Sequence, residues 1–284
     1  MTAKHAGSAS SGRRKARWTA LACVVLAATA CGARLDGPVL VYRFTTESGE
    51  DAAADVATRA TTVIERRLAA VYPAAAWVEQ DGGTELRVRL ARGADAAVVA
   101  MIRASVEPEG ILEIRLCAPP DVERAATEAP GAPLPPGFRR VPWSPQSDEF
   151  GVPAEAIVEF PEDLPCAPDR DTPVRDDVFT DLDLASASAQ TQDMQHLVEI
   201  AFSESRATAF ADFTERSMRR RLAILVDGRV IGAPRINDRL PGQGVISGGG
   251  AGFTETEART FAATVSQGRL PCRLEFVREE AAPR

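Results

Sequence analysis

Thirteen of the chain's 20 prolines fall between residues 119 and 178. Proline has no backbone N–H and a fixed φ, so it is excluded from helix interiors and central strands. That stretch therefore reads as a long irregular connection, with one short strand at Ala156–Phe160. It divides the 284 residues into two regular blocks, 39–118 and 179–280. A connection of this length is unusual inside a compact domain.

The first block carries one period of each kind in turn. Val39–Phe44 is apolar and β-rich. Val56, Ala60, Val63, Ile64, Leu68 and Val71 return every three or four residues, which predicts a helix closed by Pro73. Trp77–Gln80 and the alternating run Glu85–Leu90 flank Asp81-Gly82-Gly83, a hairpin signal. Ala94, Val98, Met101 and Ile102 predict a second helix, and Ile111–Leu116 a final strand. The order is βαββαβ, the split βαβ or ferredoxin-like plan, with helices on one face of the sheet.

The second block is also α+β. Leu197–Phe202 reads as a strand, with Ser203 placed to cap a helix from Glu204 whose core face is Ala207, Phe210, Ala211, Thr214 and Met218. Leu222–Val226 and Arg229–Ile236 are strands joined by Asp227-Gly228, which tolerates the positive φ of a tight hairpin turn. Gly242–Gly252 marks turns around Val245-Ile246. Thr254-Glu255-Thr256-Glu257 is a capping box, with Phe253 placed to staple onto Ala258. Gly268 ends that helix, and Leu270–Val277 is the last strand. The fold class is α+β: a ferredoxin-like base plus a second α+β subdomain with antiparallel or mixed sheets.

The N-terminus reads as a targeting device. Lys4, Arg13, Arg14, Lys15 and Arg17 precede an apolar run from Trp18 to Ala30, too short to span a bilayer and the right length for a signal peptide. The run ends Thr29-Ala30-Cys31-Gly32, which resembles a bacterial lipobox. Residues 1–30 are then the signal peptide, Cys31 the lipidated residue, and 31–38 a tether. Ordinary cleavage near Ala30, with Cys31 a plain thiol, is the competing reading. Export places Cys117, Cys166 and Cys272 in an oxidising compartment, where two can pair and one is left over.

The formal charge of −7 and the lack of a clustered basic face give no nucleic-acid footprint. Arg219–Arg221 reads as the cationic end of a helix, and Asp176, Asp177, Asp181 and Asp183 as a solvated acidic segment. His196 stands alone, and no metal-ligand spacing, nucleophile elbow or phosphate loop occurs. No catalytic residue, cofactor or metal is assigned, and the chain reads as a non-enzyme.

Between 197 and 277 the runs LVEIAFSESRATAFADFTERSMRRRLAILVDGRVIGAPRIND and GVISGGGAGFTETEARTFAATVSQGRLPCRLEFVREE are similar to the head of the large periplasmic domain of the SecD protein-export family. FTDLDLASASA at 179–189, VIERRLAAV at 63–71 and LEIRL at 112–116 also resemble SecD segments. The resemblance implies a base at 39–118, a head at 179–268, and a last strand within 269–284 that returns to the base sheet. Cys117 and Cys272 would then lie on one sheet and could bridge, with Cys166 the rival partner for either. It further implies an accessory role in protein export at the periplasmic side of a bacterial envelope, lipid-anchored to the inner or outer membrane. Exported polypeptide or Sec translocase components would be the partners, and the chain would do no proton-coupled pulling of its own. The alternative is a diverged envelope protein that keeps the fold for structure or assembly.

Overall fold

The computed structural model describes residues 35–46, 49–73, 76–81, 84–144, 155–160, 175–248 and 252–281. Cys31 and Cys166 lie outside the described residues. The chain begins β1 (Val39–Thr45), α1 (Ala54–Val71), β2 (Ala76–Asp81), β3 (Glu85–Leu90), α2 (Ala96–Val106), β4 (Leu112–Leu116), α3 (Pro120–Glu128), β5 (Phe138–Pro142) and β6 (Glu155–Glu159). It continues β7 (Phe179–Thr180), β8 (Leu184–Gln192), β9 (Gln195–Phe202), α4 (Glu204–Arg216), β10 (Leu222–Val226), β11 (Arg229–Gly232), β12 (Gln243–Ile246), α5 (Glu255–Ser266) and β13 (Arg273–Glu280).

The base sheet has the order β13-β1-β3-β2, antiparallel throughout. Leu40, Tyr42, Phe44, Leu86, Val88 and Leu90 face one side. There they meet Ala57, Ala60, Ile64 and Leu68 of α1 and Ile102 and Val106 of α2. The three-and-four spacing of those helical positions gives each helix an apolar stripe that only such burial satisfies. The opposite face alternates charges, tied by Arg87–Glu280 at 3.2 Å and Arg278–Glu85 at 3.4 Å.

The fourth strand of this plan is β13, not the Ile111–Leu116 segment that sequence order nominates. That segment, β4, leaves the base and pairs with β10 and β7 in a head sheet of order β11-β10-β4-β7. Burial is the physical reason. Every residue of β4 is buried, which an edge strand with a solvated face would not be, whereas β13 alternates as an edge strand should. The alternation in β4 is deceptive because its charges, Glu113 and Arg115, are both buried and bonded to each other.

The head core lies between that sheet and a second one of order β12-β9-β8. Phe179, Phe202, Phe210 and Phe213 cluster at its centre, with Phe202 and Phe210 centroids 4.4 Å apart. Helix α5 starts with the expected capping box at Thr254 and Glu257. It is buried on both sides, lying on β8 and β9 and against α1 and α2, so it is shared by base and head. Phe253 stacks on Phe261, 5.7 Å away. Ser203 precedes α4 as expected, but its hydroxyl meets Ser205 instead of a helix N–H.

The proline-dense stretch is more regular than its composition predicts. Pro119 and Pro120 sit at the N-cap and first turn of α3, where no N–H is needed. Strands β5 and β6 form a hairpin. Val141, Ala156, Val158 and Phe160 of that region cover the outer side of β4, β10 and β11 at Cys117, Ala223, Leu225 and Val230. The Arg219–Arg221 run lies beyond the end of α4 rather than on it. Arg220 bonds Glu159 and the Cys117 carbonyl, and Arg221 pairs with Glu123 of α3. These cations fasten the insertion to the head instead of complementing a helix dipole.

Candidate functional site: an open strand edge and the junction beneath it

Strand β8 reads Leu-Ala-Ser-Ala-Ser-Ala-Gln-Thr-Gln and is the free edge of its sheet. Small residues suit this position because α5 lies directly over its inner face, where Ala187 and Ala189 join the core. The outer face is polar and open. Ser188 stands opposite Glu199, and Glu199 opposite the exposed Val245 of β12. None of the nine residues is buried.

Within the sheet, β8 bonds β9 only. Among the described residues, the backbone groups of Ala185–Gln192 make no hydrogen bond elsewhere. An unpaired row of N–H and C=O groups is the chemistry of strand addition. The hairpin tip is unusual too. Asp193 and Met194 have φ of 50° and 62°, and Met194 is 94% exposed. Both central residues of a type I′ turn need positive φ, which side chains resist. Met194→Gly is expected to raise the urea midpoint, by about 1 kcal/mol of stability.

Below the head, the chain passes between subdomains twice, at 107–111 and 267–272, and buried polar groups pin both passages. Arg67, on the inward stripe of α1 with Ile64, Leu68 and Val71, is wholly buried. Its Nη1 donates to the Pro108 carbonyl at 2.5 Å, and its Nη2 donates to Glu109 at 3.0 Å and Gly268 at 2.8 Å. Desolvation pulls its pKa down to about 10, against the opposing pull of Asp227 and Asp181. Asp227 Oδ1 accepts from the N–H groups of Gly110 and Ile111 at 2.9 and 2.8 Å. Asp181 accepts from Leu112 N–H at 3.2 Å and from Arg269 at 2.8 Å. Gly110 has φ +86°, and a Cβ there would collide with the Arg67 guanidinium. The head is thus held on the base by groups that cannot slide without losing partners.

The acidic segment is solvated only at its start, where Asp176 is exposed, and turns inward by Asp181 and Asp183. Asp181 is buried, Asp183 and Asp176 both bond Arg206, and Asp177 pairs with Arg175. Arg175 is the leading cause that holds the Asp177 carboxyl below its ordinary range. Among the described residues no group of His, Cys, Asp and Glu has metal-site geometry. His196 meets Thr191 at 3.1 Å.

Cys117 and Cys272 are both free thiols, and the structure does not bring them together. Cys117 follows β4 and packs in the head under the insertion, while Cys272 packs with the base core. The proposed bridge presumed that both lie on one sheet, and β4's departure to the head removes that premise. Burial pushes each thiol up to about 11. Relative to an ordinary cysteine, this leaves roughly a hundredfold less thiolate at pH 8. Both should therefore resist alkylation in the native protein and react on unfolding, which mass spectrometry of labelled peptides reads out.

Of these features, the β8 edge had no distinctive signal in the sequence: its uncharged run is shorter than those at Leu68–Val78 and Leu240–Thr254. Arg67 had one, its helical phase beside Ile64 and Leu68. The junction's carbonyl partners had none, because backbone groups carry no sequence mark.

Residues 167–272 match the family model described as SecDF, P1 head subdomain. Relatives include the protein translocase subunit SecD of Acidaminococcus fermentans, 38% identical over 105 residues, covering 35% of this chain and 24% of that protein. The SecD of Aquifex aeolicus is 35% identical over 104 residues, covering 36% and 20%. The matched region is thus a quarter or less of these relatives' length. Among solved structures, SecDF in its super-membrane-facing form has a TM-score of 0.56 at 23% identity, covering 86% of this chain and 30% of that one. A second, described as a membrane component that enhances protein export, has a TM-score of 0.53 at 23% identity, covering 84% and 98%. The fold of base and head together is that of SecDF's periplasmic region.

Proposed function

We propose, from a head of the SecDF P1 type joined to a SecD-like base, that this chain is an accessory factor of protein export that binds exported polypeptide at the outer side of the bacterial inner membrane or at the outer membrane. The family match of the head carries the reading. The open β8 edge supports it, since backbone pairing holds a chain whose sequence is not fixed in advance. Sec translocase components are the second class of partner, as the relatives' names suggest.

Cys31 supplies the attachment. A basic leader, a short apolar run and small residues before the cysteine favour lipidation there. Among the described residues no helix is long and apolar enough to cross a membrane. Asp36 is already paired with Arg92 on the base, so the segment between the lipid and the folded body is only a few residues long. At about 3.5 Å per extended residue this keeps the base close to the bilayer.

Photocrosslinking in growing cells tests the reading. Probes on β8 and on α4 of the full chain should capture newly exported polypeptides during a pulse of synthesis. Capture no higher than that of a probe-free control would reject a client-binding role. Replacing Cys31 by serine should release the protein from the membrane fraction.

A further inference from the structure

The seven other strand edges of the described structure are each protected; β5 carries Arg139, Arg140 and Pro142, and Ala118 N–H donates to the Ile157 carbonyl of β6 at 2.9 Å. β13 carries Arg273, Glu275, Arg278, Glu279 and Glu280, and β2 carries Glu79. β7 has two residues and β12 four. β11 has four, with Trp143 bridging to Val230 alongside it and Ser144 N–H bonded to the Val230 carbonyl at 2.8 Å. Charge, shortness and cover are the devices by which folded proteins blunt edges against unwanted pairing. β8 has none of them. Over Leu184–Gln192 it carries no charge, no proline and no glycine, and at about 3.3 Å per residue it presents roughly 30 Å of edge.

We infer that β8 is the polypeptide-binding site itself, and that it takes one extended, unfolded segment as an added strand, read through its backbone and not through a side-chain motif. The inference rests on the polypeptide-binding reading above and narrows it to one strand. The side chains at the edge are alanine, serine, threonine and glutamine, so no deep pocket or fixed charge selects a sequence. What the edge does select is conformation: the occupant must be extended, with its own N–H and C=O groups unpaired, which excludes helical and folded chains. The adjoining outer face, with Ser188, Glu199 and Val245 in one row, is polar enough to let side chains of many kinds pass.

A second copy of this chain fits the same edge less well. Antiparallel self-pairing centred on Ser188 sets Asp193 of each copy beside Asp183 of the other, at both ends of the contact. A client segment brings no such fixed acid.

The test uses the full chain and a fluorescent peptide of alternating threonine and valine, about ten residues long, ending in lysines for solubility. Two further versions are N-methylated on alternate residues, in one phase or the other. An added strand offers only every second N–H to its neighbour. Methylation in one phase should therefore weaken binding by about tenfold or more, and in the other phase by less than about twofold. Amide exchange should show alternate residues of Ala185–Gln192 becoming protected when peptide is added. Binding that ignores the phase, or protection that appears elsewhere in the chain, overturns the assignment to β8 while leaving polypeptide binding intact. No binding of this peptide, nor of a reduced and carboxymethylated unfolded protein, rejects both readings. Protection of β8 that rises with protein concentration in the absence of peptide identifies self-pairing and overturns the inference.

Discussion

Replacing Arg67 by leucine is expected to destabilise the protein by about 3–5 kcal/mol, read as a lower urea midpoint at unchanged slope. The guanidinium is wholly buried and serves three carbonyls, those of Pro108, Glu109 and Gly268, drawn from both passages between base and head. Leucine fills part of the volume but strands three acceptors away from water, and each stranded group costs about 1–3 kcal/mol before the structure relaxes. It also removes a cation that attracts Asp227 and Asp181. Lysine keeps a charge but cannot fan out to the same three oxygens, so Arg67→Lys should recover only part of the loss. Arg66, its exposed neighbour on the same helix, supplies the control: Arg66→Leu should change stability by less than about 0.5 kcal/mol. An unchanged midpoint for Arg67→Leu would show that water replaces the side chain at no cost.

The buried pair in β4 gives a second large effect, with a sign that depends on how it is removed. Glu113 Oε2 accepts from Arg115 Nε at 2.8 Å and Nη2 at 2.5 Å, and the ring of Phe160 lies 4.2 Å from the guanidinium carbon. Glu113→Ala should cost about 3–5 kcal/mol, because it leaves a buried cation without its carboxylate. Replacing both residues together, Glu113→Leu with Arg115→Met, should cost far less and leave the insertion in place. Glu113→Leu and Arg115→Met made singly should then be strongly non-additive with the double change in a mutant cycle.

Titration adds a check on that pair. Desolvation outweighs Arg115 and raises the Glu113 carboxyl above its ordinary value. A carboxyl raised by folding contributes stability that is full below its unfolded pKa and is lost as pH rises through the folded one. The doubly substituted chain lacks this loss, so it should gain on the parent as pH rises above the ordinary carboxylate range. A constant difference over that rise would contradict the burial of the carboxylate.

Much of the fold was legible because most elements follow their own periodicity. The helices over 54–71 and 255–266, the turn at Asp227-Gly228 and the capping box at Thr254 are set by local spacing and local chemistry, and they stand where spacing puts them. What local pattern cannot tell is which sheet a strand joins. Leu112–Leu116 alternates like a half-exposed strand, yet its polar side is satisfied internally by Glu113 and Arg115, a pairing that only tertiary structure reveals. Proline density misled for a related reason. Composition records that Pro119 and Pro120 oppose helix interiors, but at the first turn of α3 the same residues help to start one. The buried half of the acidic segment was not legible because the partners of Asp183 and Asp181, Arg206 and Arg269, lie far off in sequence. The β8 edge was not legible either, since longer uncharged runs occur at Leu68–Val78 and Leu240–Thr254 and its openness depends on what the rest of the chain leaves uncovered.

Pairing of β1 with β13 joins Val39 to Glu280, nearly the whole length of the described chain. A polypeptide that reaches its compartment N-terminus first delivers β1, α1, β2, β3 and α2 long before the strand that completes their sheet. Until then one side of β1, whose residues are apolar at all but Arg43 and Thr45, has no neighbour. Contacts between such distant residues are the slowest to form. The head, by contrast, has its strands and helices in one continuous segment and can assemble while the base is still waiting. Strand β13 therefore acts as the latch of the molecule, and the exposed flank of β1 is where a newly delivered copy is most vulnerable to wrong partners.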